Sequence, residues 1–347
     1  MLTKNKYIPF YFLFLLIVLA AKTGPGKSYL KEQDGLNLMF YNLENLFDTL
    51  DSELDDDEFL PSSARRWNTY KYYRKINNIF KVVALCNDKM KTPDIIGLCE
   101  VENMTVLEDL CKRTYLYRDN YGYLISDGRD QRGICTALLY KKERLGLIAA
   151  ESWHPLEEDG TYMATRAVLY SSFYYAGDTI HIMVCHWPSR RGGAIASDYK
   201  RKALASFIKR KVDSIGIDRK LIIMGDLNDE PYSESVNKVL AALAEKDSPG
   251  GHQLVNVSTT GADSRGSYKY QGTWYLFDQF ILSSSLVNAP HGLYYKKNSF
   301  SIINDDAIST EDTSYKGVRP YSTWWGYSYS GGFSDHYPVT IKLGRRH

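Results

Sequence analysis

Short apolar runs recur along this 347-residue chain, and each meets a small cluster of Asn, Asp, Glu or His. Asn42-Leu43-Glu44 follows Leu36–Tyr41, Glu100 follows Ile95–Cys99, and His186 follows Ile180–Cys185. Asp226 and Asn228 follow Leu221–Met224, Asp278 interrupts Trp274–Leu282, and Asp335-His336 precedes Val339–Leu343. Brief apolar runs bounded by turn chemistry read as buried strands. An ionised carboxylate at the end of a buried strand is costly without a partner or a cation. The chain is therefore expected to stack its strands so that these polar ends gather at one rim.

The rest of the chain supplies the layers. Hydrophobic residues make up 44% and aromatic residues 14%, enough for a large core and incompatible with wholesale disorder. Apolar Tyr73, Ile76, Ile79, Phe80 and Val83 recur at helical spacing between Tyr70 and Leu85. Helices are also expected over Thr105–Cys111, Ala194–Val212 and Glu234–Ala244. Further strands are expected at Tyr121–Ser126, Ile134–Tyr140, Leu145–Glu151, Ala164–Tyr175, Thr179–Cys185 and Gln253–Val257, with turns at Asp127-Gly128 and Asp159-Gly160. Tyr294–Ser330 reads as an irregular surface loop. The acidic segment Asp51–Glu58 reads as a solvated loop, because the glycine and spacing of an EF-hand are missing. No linker or internal repeat divides the chain, so strands mixed with helices predict one α/β domain.

The N-terminus has a different character. Lys4 and Lys6 precede an apolar run to about Ala21, the pattern of a secretory signal peptide over residues 1–21, with an uncleaved anchor as the alternative. A short linker, 22–35, would lead into a domain spanning 36–347. Export to the periplasm or the exterior is expected, with no stable membrane span in the mature form. Without Lys4 and Lys6 the 43 basic residues fall to equal the 41 acidic ones. Whole-chain charge then gives no general attraction for nucleic acid, and any anion must be held by local charge and metal. Five cysteines do not make a disulfide framework: Cys99 and Cys185 read as buried, and pairing among Cys86, Cys111 and Cys135 stays open.

Each polar cluster has its own chemistry. Asn42 and Glu44 lie two residues apart and can share a face. Glu100, behind five apolar or small residues, calls for a partner, either a hard divalent cation or an arginine in a salt bridge. Asp226 can bind metal or accept a proton, and Asn228 can donate to a phosphoryl oxygen. Asp278, buried in an apolar run, needs a partner such as His336. His186, before Trp187-Pro188, is by itself more often structural. Together the set suits metal-assisted attack on a phosphate ester.

In its order, Asn42-Leu43-Glu44, Glu100-Val101, His186-Trp187-Pro188, Gly225-Asp226-Leu227-Asn228, Asp278 and Ser334-Asp335-His336, the set resembles the endonuclease/exonuclease/phosphatase (DNase I-like) superfamily from about Leu36 to Leu343. The resemblance implies a four-layer α/β sandwich, two central, mostly antiparallel sheets flanked by helices. It implies a metal-dependent phosphoric ester hydrolase using Mg²⁺ or Mn²⁺, with Ca²⁺ admitted. Glu100 would be the principal ligand, with Asn42 and Glu44 nearby and Asp335 at the metal or the leaving-group side. Asp226 would activate water, Asn228 and His186 would steady the phosphate, and Asp278 would pair with His336. Arg166 lies where DNase I-like members often carry a substrate-facing arginine, with an ordinary salt bridge as the alternative.

The Asn42–Asp48 and His186–Gly193 segments look most like secreted bacterial nuclease-like members. Arg190 and Arg191 would then touch a nucleic-acid backbone, or else form a solvated turn. Trp324 and Trp325 would stack bases, touch lipid or merely pack their loop. The expectation is a monomeric nuclease acting on DNA or RNA. The alternatives are a hydrolase of a small phosphoester or lipid headgroup, and an inactive binding module on the same scaffold.

Overall fold

The computed structural model describes residues 35–53, 56–86, 91–128, 132–156, 160–247, 251–260 and 266–346. The expected signal segment, nearly all of the linker after it, and Asp159 lie outside them. In chain order the strands are β1 (Gly35–Leu46), β2 (Ile95–Val101), β3 (Tyr121–Ile125), β4 (Cys135–Lys141), β5 (Gly146–Trp153), β6 (Val168–Tyr175), β7 (Asp178–His186), β8 (Lys220–Asp226), β9 (Ala242–Ala244) and β10 (Leu254–Asn256). There follow β11 (Tyr268–Tyr270), β12 (Thr273–Tyr275), β13 (Asp278–Ser283), β14 (Gly292–Tyr295), β15 (Ser301–Ile302), β16 (Ser309–Glu311), β17 (Val318–Pro320), β18 (Trp324–Trp325), β19 (Ser328–Tyr329) and β20 (Val339–Arg346). The helices are α1 (Thr69–Leu85), α2 (Met104–Arg113), α3 (Ala194–Ile215) and the single turn α4 (Ser284–Val287).

Two seven-stranded sheets result. One runs β14-β20-β1-β2-β4-β3, with β15 also against β20, and the other β5-β6-β7-β8-β13-β10-β9. Within them the pairs β1–β2, β7–β8 and β9–β10 are parallel and the rest antiparallel. Alternation along each strand explains the layering. Ile182, Val184, Ile222, Met224 and Phe280 meet Phe40, Leu98 and Leu138 of the first sheet in one core. The intervening Met183, Cys185, Leu221, Ile223 and Ile281 join Leu204, Ala205, Ile208 and Val212 of α3 in a second. Helices α1 and α2 pack with the first sheet through Ile76, Ile79, Val83, Val106, Leu107 and Leu110. The architecture is the expected pair of central sheets flanked by helices.

Several local expectations are corrected. Glu234–Ala244 is not a helix: a short π-type turn, Ser235–Val239, gives way to β9, whose parallel pairing with β10 overrides the local Ala and Leu preference. Trp274–Leu282 is two strands, so Asp278 opens β13 rather than interrupting a longer one. The strand expected from Ala164 begins at Val168, which leaves Arg166 in the preceding loop. The late stretch is built of small hairpins, with Asp312 accepting from the amides of Ser314 and Tyr315 and pairing with Lys269 at 2.7 Å. All five cysteines are free thiols.

Candidate active site

Strand register brings three of the polar ends together. His186 lies opposite Asp226 in the β7–β8 pair, and Asp226 opposite Asp278 in the β8–β13 pair; all three are buried. Gly225 permits this closeness, because a Cβ there would sit 2.2 Å from the Cys185 carbonyl oxygen. Across the seam between the sheets, Asn42 Nδ2 donates to Asp226 Oδ2 at 3.0 Å. Ser334 donates to the Asn42 carbonyl and accepts from the His336 amide, which clips Ser334-Asp335-His336 to β1. His336 Nδ1 is then 2.7 Å from Asp278 Oδ2 and its Nε2 3.8 Å from Asp226 Oδ2, while Tyr268 stacks on the ring at 4.7 Å.

The backbone is bent to deliver the remaining groups. Glu100 sits at a register shift in β2 with φ of 60°, and Glu44, Asn45 and Asn228 also adopt left-handed conformations. Such residues cost roughly 1–3 kcal/mol each and gather where structure re-aims a side chain. Glu100 Oε2 accepts from the Asn45 amide at 2.9 Å, and its Oε1 lies 3.8 Å from His186 Nε2. Asn45 is held in turn by Arg132, at 2.7 Å.

Electrostatics separate the two histidines. Burial, with Arg166, Arg132 and His336 nearby, holds His186 far below the ordinary imidazole range, so it is neutral. Burial also opposes protonation of His336, but the charge and hydrogen bond of Asp278, then Asp226 and Asp335, hold it well above that range as an imidazolium. Burial pushes Asp226 up to about 7, against the pull of His336 and with the help of Asp278. Asp335 is raised by burial and by Glu100, with His336 opposing.

Glu44 is placed differently from its neighbours. Its carboxylate accepts from the Thr323 and Trp324 amides and lies 3.8 Å from Lys75 Nζ, so its lone pairs anchor the late loop. Lys75, fully buried on α1, also donates to the Glu44 and Phe333 carbonyls and to Thr323. Burial pulls Lys75 down and Glu44 up, while their mutual charge opposes both shifts. Replacing Lys75 with Met strands that carboxylate. It should cost about 3–5 kcal/mol in urea-induced unfolding, and a loss under 1 kcal/mol would refute the anchoring role.

The cationic candidates divide. Arg190 is spent within the protein, donating to the Asn228 carbonyl and to Asp229 and lying over Phe277. It braces the turn that holds Asn228, whose Nδ2 gives one hydrogen to the Trp187 carbonyl. Arg191 instead lines a cavity of about 370 Å³ with Arg166, Pro188, Ser189 and Lys200. Trp324 is buried against Trp67, whereas Trp325 is half exposed with Arg319 over its face. Sequence reasoning missed Lys75, Asp229, Arg132, Lys200, Tyr268 and Ser267, whose hydroxyl donates to Asp278 Oδ2. Only Lys75 left a signal, a charge at helical spacing with apolar Tyr72, Ile76 and Ile79.

The family model described as "Endonuclease/Exonuclease/phosphatase family" matches residues 37–345. No curated protein matches the chain in sequence. Among solved structures the fold is shared with an endonuclease/exonuclease/phosphatase family protein from Bacteroides thetaiotaomicron (TM-score 0.57, 16% identity, covering 91% of this chain and 100% of that one). D. rerio TDP2 complexed with single strand DNA product gives a TM-score of 0.56 at 16% identity, over 90% and 100%. A mannosyl-6-phosphatase of B. thetaiotaomicron VPI-5482 gives 0.53 at 16%, over 89% and 99%. At these identities the likeness is one of fold.

Proposed function

This chain belongs to the endonuclease/exonuclease/phosphatase family and is a metal-dependent phosphoric ester hydrolase; from that premise we propose an exported phosphodiesterase that cuts DNA or RNA. The observation that carries the nucleic-acid reading is the cavity beside the site, where Arg166, Arg191 and Lys200 offer three cations to phosphates flanking the cleaved one. Export rests on the N-terminal pattern alone.

Glu100, Asp335 and Asn42 would hold the divalent ion, with Glu44 fixing the turn between them. They fit it chemically: all are oxygen donors, and the Asp335 carboxyl already feels the Glu100 charge. A bound Mg²⁺ or Mn²⁺ supplies Lewis-acid polarisation of a phosphoryl oxygen and relief of charge on the leaving oxygen. Asp226, oriented by Asn42 and poised near neutrality by burial, takes the proton of the attacking water. The His336 imidazolium, held by Asp278, and the second Asn228 amide hydrogen stabilise charge developing on the phosphoryl group. Neutral His186 steadies the same group.

The test is incubation of the metal-stripped, purified protein with supercoiled plasmid, linear DNA and RNA in Mg²⁺, Mn²⁺, Ca²⁺ or EDTA, with His336→Ala in parallel. Cleavage that needs both metal and His336 is expected. No nucleic-acid cleavage, with turnover of a sugar phosphate or lipid headgroup instead, would move the assignment to small phosphoesters. In the same assay Arg191→Ala should raise KM about tenfold with little change in kcat, and lower the salt dependence of binding by about one phosphate contact. An unchanged KM would take the cavity out of substrate binding.

A further inference from the structure

Most of the acidic segment after β1 is solvated as its composition suggests, with Asp51, Glu53, Asp57 and Glu58 exposed, but Asp56 is not. Phe59 is buried and stacks on Phe47, with centroids 4.3 Å apart and planes 3° from parallel, and the Asp56 carbonyl accepts from its amide. This draws Asp56 inside. The residue is 2% exposed, yet neither of its carboxylate oxygens has a hydrogen-bond partner. Its carboxylate comes within 4.8 Å of those of Asp51 and Asp57, and no basic side chain is paired with any of the three among the described residues. A buried, unpartnered carboxylate facing two others is unfavourable unless a cation joins them.

We propose that Asp51, Asp56 and Asp57 form a Ca²⁺ site distinct from the catalytic centre. The donors are hard oxygens only, which disfavours zinc and copper. Asp56 and Asp57 lie at the start of the short 3-10 turn Asp57–Phe59, and Asp51 and Asp57 are open to solvent, so water can complete the shell, which suits the larger, less demanding Ca²⁺ better than octahedral Mg²⁺. The spacing is not that of an EF-hand, so the motif is invisible to a search for one. The ion would brace the rim from outside. Asp48, three residues before Asp51, donates its amide to Glu102 and accepts from Asn103, just beyond Glu100 on β2.

Thermal unfolding of the metal-stripped full chain tests this, in excess Mg²⁺ so that Ca²⁺ must compete for the catalytic centre. Saturating Ca²⁺ should raise Tm by roughly 2–4 °C in the wild type and equally in Glu100→Gln. Asp56→Asn should show no rise, and in EDTA its Tm should match or exceed the wild type because a buried repulsive charge is gone. Asp51→Asn, at an exposed position, should raise the half-saturating Ca²⁺ about tenfold. An equal response in wild type and Asp56→Asn, no response in the wild type, or a response lost in Glu100→Gln would each overturn the site.

Discussion

Asparagine in place of Asp226 should lower kcat by about 10²–10⁴, the range for loss of a positioned general base. That corresponds to roughly 2.7–5.5 kcal/mol of barrier. The substitution is nearly isosteric, so the chain should stay folded, but it removes the proton acceptor. It also leaves a local conflict, since the Asn42 side chain and the Asn228 amide both donate to the carboxylate, to different oxygens. An amide offers a single oxygen, so one donor loses its partner, at a stability cost of about 1–3 kcal/mol. Steady-state kinetics on the purified variant, with circular dichroism as a check on folding, decide the matter. Near-wild-type kcat would remove Asp226 from the proton transfer.

Glutamine at position 100 should fail in a different way. Its side-chain oxygen can still accept from the Asn45 amide, so the left-handed bend in β2 should survive. What is lost is the charge that faces the cation, and divalent-metal affinity should fall on the order of a hundredfold. Activity at limiting Mg²⁺ or Mn²⁺ should fall in step and recover in part as metal is raised. Asp226→Asn should not recover. Metal titrations of turnover on both variants separate the roles, and an unchanged metal requirement in Glu100→Gln would remove Glu100 from the ligand set.

The sheets and the positions of the polar clusters were legible in the sequence because apolar runs and their ends are local patterns. Which ends touch was not, because that depends on pairing between distant strands. His186, Asp226 and Asp278 become neighbours only through the β7–β8–β13 register. The two adjacent arginines show the same limit. Arg190 turns inward to Asp229 and Arg191 outward to the cavity, at the entrance to two glycines with φ of 83° and 110°. Nothing in the composition of that segment distinguishes them. Lys75 could have been suspected from its place on an apolar helix face, but its partners come from Glu44, Thr323 and Phe333, three separate segments. In the acidic loop, charge outweighed the one aromatic residue, Phe59, that pulls Asp56 out of water.

β20 lies between β14 and β1, one strand in from the edge of the first sheet, and the residues leading into it carry His336. The candidate site is incomplete until this strand has slotted into place, since Ser334 must reach Asn42 and His336 must reach Asp278. A chain still emerging from the ribosome therefore holds Asn42, Glu100, His186 and Asp226 without the imidazolium that completes them. The order of synthesis thus sets the last group of the candidate site beside the strand that closes the sheet.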